Sequence, residues 1–100
     1  MIHRSAMEKF PKLYPTEEVL TTLESTTLSE KGENELNDFL TRLNRYGINK
    51  AMLGSRHVTT YPNGVAKLRF SEFVLTVSEY DGEMIYIVDI FKTHLVLVEA

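Results

Sequence analysis

The sequence predicts one α+β domain, with two N-terminal helices packed on one face of a three- to five-stranded antiparallel meander sheet. Three observations predict it. Apolar residues recur at helical spacing as far as Gly47, and the period falls to two from Ser55 onward. Turn-forming pairs then divide the second half into short segments: Pro62-Asn63-Gly64, Ser71-Glu72 and Asp81-Gly82. The division is residues 1–15 as an extended N-terminal segment, 16–47 as the helical part and 55–99 as the sheet.

Pro11 and Pro15 bracket Lys12-Leu13-Tyr14 as extended chain, because the residue before a proline is driven out of the helical region. Thr16 followed by Glu17 and Glu18 is a helix start: a hydroxyl to cap free N–H groups, then acids at the positive helix end. Val19, Leu20 and Leu23 supply its apolar face, and the helix is expected to run from Glu17 to about Ser25. In the second helix Leu36, Phe39, Leu40 and Leu43 fall at i, i+3, i+4 and i+7. Thr27 with Glu30, or Ser29 alone, caps its start, and Gly47 ends it.

Four strands follow, over Arg56–Tyr61, Val65–Phe70, Phe73–Tyr80 and Met84–Phe91. Leu95–Val98 either extends the last one or forms a fifth. A two-residue loop fixes which residues stand opposite. With Ser71-Glu72 as the loop, Lys67 faces Thr76, Leu68 faces Leu75 and Arg69 faces Val74. With Asp81-Gly82 as the loop, Val77 faces Tyr86, Leu75 faces Val88 and Val74 faces Asp89. One sheet face then holds Leu68, Phe73, Leu75, Tyr86, Val88 and Ile90, under the helices. The other holds Arg56, Lys67, Arg69, Val74, Ile85, Ile87 and Asp89, and stays open. A row Arg69–Val74–Asp89 on that face is either a cross-sheet charge pair or part of an anion site in which Asp89 orients an arginine.

The chain has 100 residues, no cysteine and a net charge of −3. Without cysteine there is no disulfide framework, thiolate chemistry or Cys-based zinc site. His3, His57 and His94 have no metal-ligand spacing, and no phosphate loop, nucleophile elbow or dinucleotide fingerprint occurs, so neither metal nor cofactor is expected. No signal peptide or membrane-length apolar run is read, which gives a cytoplasmic expectation with no membrane partner. Charge is segregated. Residues 1–38 carry eight acids and four bases, residues 39–71 six bases and no acid, and residues 72–100 six acids and one base. The middle third is thus the candidate for an anion.

Lys67-Leu68-Arg69, the Asp81-Gly82 hairpin and the ending Phe91-Lys92-Thr93-His94, following a leucine-rich helical pair, resemble the RelE/ParE-type toxin superfamily over about residues 30 to 94. That resemblance implies a metal-independent endoribonuclease in which the RNA 2′-hydroxyl attacks the adjacent phosphate. Lys67, Arg69 and Arg56 would then be the cations, and His94 or His57 the proton-transfer residue. An inactive relative would bind RNA or ribosomes through Arg56, His57, Lys67 and Arg69. The other reading is a toxin–antitoxin, immunity or phage-type inhibitor protein that binds a protein partner. Its acidic helical residues Glu17, Glu18, Glu33, Glu35 and Asp38, or the open sheet face, would make the contact. Whether the chain is an enzyme stays open between the two. The edge strand Arg56–Tyr61 also permits a homodimer through strand pairing.

Overall fold

A computed structural model describes residues 2–53, 57–80 and 84–93, and the fold is α+β with a five-stranded mixed sheet. The helices are α1 (Glu17–Ser25), α2 (Glu30–Tyr46) and a single-turn α3 (Ile48–Ala51), preceded by a 3-10 helix (Arg4–Lys9). The strands are β1 (Leu13–Pro15), β2 (Val58–Thr60), β3 (Val65–Arg69), β4 (Phe73–Tyr80) and β5 (Met84–Lys92), in the order β1-β5-β4-β3-β2.

Helix ends form where side-chain chemistry provides for them. Thr16 accepts from Val19 N–H, and Ser29, not Thr27, accepts from Gly32 N–H. Gly47 takes φ 86°, the positive-φ position that closes α2. Leu36, Phe39, Leu40 and Leu43 are buried along one stripe. They join Val19, Leu23, Ala66, Leu68, Phe73, Leu75, Val77, Ile85, Ile87 and Ile90 in one core cluster. Phe70 bridges the layers, edge-on to Phe39 at 5.2 Å and stacked on Phe73 at 4.6 Å.

The expected architecture is corrected at its N-terminal segment and in β5. The sheet is mixed, not antiparallel throughout, because β1 lies parallel to β5, Leu13 opposite Ile85 and Tyr14 opposite Tyr86. Pro15, lacking an N–H, is tolerated because β1 is an edge strand. Ladder bonds continue on either side of β1, from Ile85 N–H to Lys12 O and from Thr16 N–H to Ile87 O, both 3.2 Å. Residues 1–15, read as extended, hold the 3-10 helix ahead of this strand, with Met7 and Phe10 buried. The expected pairings Lys67 with Thr76, Leu68 with Leu75 and Arg69 with Val74 are those of the β3–β4 ladder. Leu95–Val98 and the Asp81-Gly82 turn lie outside the described residues.

The register of β5 is corrected as well. Val77 stands opposite Ile87, not Tyr86, and Leu75 opposite Ile90, not Val88. Between them the register shifts at Thr76/Val77: Thr76 pairs with Asp89 and Val77 with Ile87, leaving Val88 as an extra residue. Ile85 and Ile87, expected on the open face, are therefore core, and Val88, expected in the core, is exposed. A slip of one residue moves every side chain to the other face. The bulge makes a second slip, so that Asp89 points out while Ile90 returns to the core.

The β3–β4 turn holds the start of α2. Glu72 accepts from Ser29 N–H at 2.8 Å and also from Ser29 Oγ–H, while Ser29 Oγ accepts from Gly32 N–H at 3.1 Å. Hydrogen bonds from Ser29 hold the Glu72 carboxyl below the usual glutamate range. Gly32 leaves room for that carboxylate: a Cβ there would lie 2.8 Å from Glu72 Cδ. Gly32→Ala should accordingly destabilise the protein, since the gain in helix propensity is offset by displacement of Glu72. In a Glu72→Ala background the same change should stabilise, by up to about 1 kcal/mol. Urea melts of the four proteins check this reversal of sign. The stabilisation by the Ser29–Glu72 hydrogen bonds should be fully present above the ordinary glutamate pKa of about 4.3 and be lost as pH falls through the depressed value of the folded protein.

Candidate functional site

The sheet face opposite the core residues carries three rows set by the ladder register. The first runs Tyr61, Val65, Ser78, Tyr86, Tyr14; its β3, β4, β5 and β1 members are paired directly. Tyr61 N–H donates to Val65 O at 2.8 Å, which extends the β2–β3 pairing one step to Tyr61. The second row runs Thr59, Lys67, Thr76, Asp89. The third runs His57, Arg69, Val74, Phe91, with Arg69 N–H donating to His57 O at 2.9 Å. Rows two residues apart on a strand are about 7 Å apart, and five strands span about 19 Å.

This face differs from an ordinary solvated one in its apolar content. Tyr14, Tyr61, Val88 and Phe91 are 42%, 44%, 44% and 46% exposed, and all four belong to this face or its bulge. Tyr14 and Tyr86 lean on each other at 5.7 Å with their planes 42° apart. Tyr61 and Val65, with Pro62, Asn63 and Lys67, line an open concavity of about 550 Å³ at the β2–β3 end. Val74 and Thr76, on the central strand, are buried among their neighbours. Lys67, Arg69 and His57 are exposed, and among the described residues neither Lys67 nor Arg69 has an ion-pair partner.

The register correction alters the expected charge row. Arg69 and Val74 continue to Phe91, and Asp89 stands instead in the row of Lys67. Thr76 separates Lys67 from Asp89, so the two charges are two strands apart, about 10 Å. The geometry joins His57, Lys67 and Arg69 on one face. Arg56 and His94 lie outside the described residues.

The acidic residues fall into separate places. Glu17 pairs with Arg4 Nη1 at 2.9 Å, and the same guanidinium reaches Glu24 at 3.2 Å through Nη2. That hydrogen bonding holds the Glu24 carboxyl below its ordinary range and raises Arg4. Glu35 accepts from Ser71 Oγ–H, tying α2 to the β3–β4 turn. Glu18 and Asp38 are exposed, and Asp38 shares a shallow hollow with Glu35, Thr41, Arg42 and Phe70. Glu33 lines a groove of about 330 Å³ between the 3-10 helix and α2, floored by Met7, Phe10, Leu36 and Leu40.

Reading the sequence for charge passed over the aromatic residues of the open face. Tyr61 shares the parity of His57, a signal present in the chain itself. Phe91 likewise shares the parity of Asp89; Tyr86 could be placed only once the β5 register and its bulge were known, and Tyr14 only once β1 joined the sheet. No helix among the described residues is long and apolar enough to cross a membrane. Compared with known proteins, the chain matches no family model, no curated protein and no solved structure.

Proposed function

We propose that this protein is a binding module of the toxin–antitoxin, immunity or phage-type inhibitor kind that engages its partner through the open face of the sheet. The observation that carries the reading is the concentration of exposed Tyr14, Tyr61, Val88 and Phe91 beside Lys67, Arg69 and His57 on that face. Exposed apolar surface bordered by charge is characteristic of interaction sites. The acidic helical surface is the weaker candidate, because Glu17 and Glu35 are already held by Arg4 and Ser71.

A second reading, the RelE/ParE-type ribonuclease or an RNA-binding relative of it, is favoured by two observations. That family usually has a strand before its helices, and β1 stands in that place here; Lys67 and Arg69 stand on one face of β3 with their charges unpaired among the described residues. On that reading the two cations stabilise charge added at a phosphate, and His57 or His94 transfers the proton.

Expression in a bacterial host separates the readings. Harmless expression, with a protein recovered by the wild type and lost from a Lys67→Ala/Arg69→Ala variant, is the outcome expected of the binding module. Growth arrest relieved by Arg69→Ala or His94→Ala replaces it with the enzyme. Recovery of the same partner by wild type and double variant alike would remove the sheet face from consideration.

A further inference from the structure

The two edges of the sheet differ in what they offer another strand. On the β1 edge, Lys12 O and Thr16 N–H bond to β5, so by alternation Leu13 and Pro15 turn their main chain outward. Leu13 N–H already donates to Phe10 O at 3.0 Å, and Pro15 has no N–H, so this edge has no donor left to give. On the β2 edge, His57 O and Tyr61 N–H bond to Arg69 N–H and Val65 O, so His57, Thr59 and Tyr61 turn their main chain towards β3. The N–H and C=O groups of Val58 and Thr60 therefore point away from the sheet, and among the described residues no hydrogen bond reaches them. Nothing within residues 57–61 guards this edge: there is no proline, lysine or acid, and the β2–β3 register runs without a bulge.

We propose that a second copy of this chain occupies the β2 edge, antiparallel, with Thr59 opposite Thr59 on a two-fold axis perpendicular to the sheet. Val58 of each copy then stands opposite Thr60 of the other, and every outward N–H and C=O of the two residues is paired. His57 stands opposite Tyr61, twice by symmetry. Each imidazole thereby meets the exposed ring at the concavity that Tyr61 shares with Val65 and Lys67. No charge faces its like: the two Lys67 residues are three strand spacings apart, about 14 Å. Thr60 lies on the helix side of the strand, opposite buried Ala66, and is itself exposed. The helical layer thus stops short of β2 and leaves room for the neighbouring copy. Because only one edge is open, the pairing closes at two chains and cannot run on into a filament. The segment Val58-Thr59-Thr60 has no charge to select a foreign strand, whereas it meets its own copy without a mismatch. The interface involves the strand edge and not the sheet face, and it sets both open faces on one side of a continuous sheet.

The test joins sedimentation velocity with cross-linking of the full chain. An edge pairing is small beside a standard interface, so the wild type should pass from monomer to dimer between about 10 μM and 1 mM. Thr60→Pro removes an outward N–H without touching the β3 ladder, and Thr59→Lys sets like charges opposite each other on the axis. Both should stay monomeric throughout that range, with thermal melts confirming that each is folded. The chain has no cysteine, so single substitutions report the register directly. Opposed Cα atoms in this kind of pair are about 4.5 Å apart, within disulfide reach. With oxidised glutathione, Thr59→Cys should become a disulfide-linked dimer, while Val58→Cys and Thr60→Cys, which meet a different residue, should lag far behind. A wild type that stays monomeric, cross-linking no faster at 59 than at 58 or 60, or a dimer that survives both Thr60→Pro and Thr59→Lys would each overturn the proposal. A monomer whose Thr60→Pro variant loses a captured protein would give the edge to a foreign strand and overturn it likewise. None of these substitutions alters Lys67 or Arg69, so failure here leaves the reading of the open face to its own experiment.

Discussion

Phe73→Ala should lower the stability of the folded protein by about 3–5 kcal/mol, the range for truncating a buried aromatic ring. Phe73 is fully buried at the start of β4 and stacks on Phe70, which in turn meets Phe39 of α2 edge-on. Removal of the ring takes away its own burial and opens a cavity under Phe70. Neighbours fixed by the β3–β4 ladder on one side and α2 on the other cannot close it by a small shift. Against a typical domain stability of about 5–15 kcal/mol this is a large fraction. Urea denaturation should show a lower midpoint with an unchanged slope. A change below about 1 kcal/mol would mean that the ring stack does not join the two layers.

The second large effect lies in β5 and separates neighbouring residues. Ile87→Ala should cost about 2–5 kcal/mol, since Ile87 is buried opposite Val77. Val88→Ala should change stability by no more than about 0.5 kcal/mol, because Val88 is exposed and unpaired at the bulge. Outright deletion makes a stronger contrast. Without Val88 the strand reads Ile85, Ile87 and Ile90 in strict alternation, with Tyr86, Asp89 and Phe91 on the other side. The bulge is no longer needed, and the protein should still fold. Deleting Thr76, which is paired on both sides of β4, shifts one half of that strand against both neighbours and should abolish cooperative unfolding. Circular dichroism melts of the four variants decide the matter, and a folded Thr76 deletion beside an unfolded Val88 deletion would reverse the assignment of the bulge.

The contrast also shows why part of the fold was legible in the chain and part was not. Local chemistry determines the α1 and α2 boundaries: Thr16, Ser29 and Gly47 act within one turn of their helix ends, and the buried stripe of α2 follows from spacing alone. The β3–β4 pairing is equally local, because its loop is two residues long. For β5 the alternation is ambiguous in the sequence itself. Ile85 and Ile87 share a parity with Asp89, and Ile90 does not, so no single alternation buries all three isoleucines and exposes the aspartate. The reading that kept Asp89 outside placed Tyr86 and Val88 inward, and the core resolved the conflict differently.

The sequence by itself therefore determined the fold class, the two long helices, the β3–β4 hairpin and the exposure of Lys67 and Arg69 together on β3. Tertiary structure alone decided that β1 adds to the sheet in parallel, since that pairing joins residues more than 70 positions apart and leaves no local signal. It also decided that one inserted residue in β5 puts Ile85 and Ile87 in the core and Tyr86 on the open face while Asp89 stays outward. Those two long-range choices bring Tyr14 and Tyr86 onto the open face, which Phe91 shares with the cations. The open face was foreseen as a basic surface; the packing of distant strands made it an aromatic one as well.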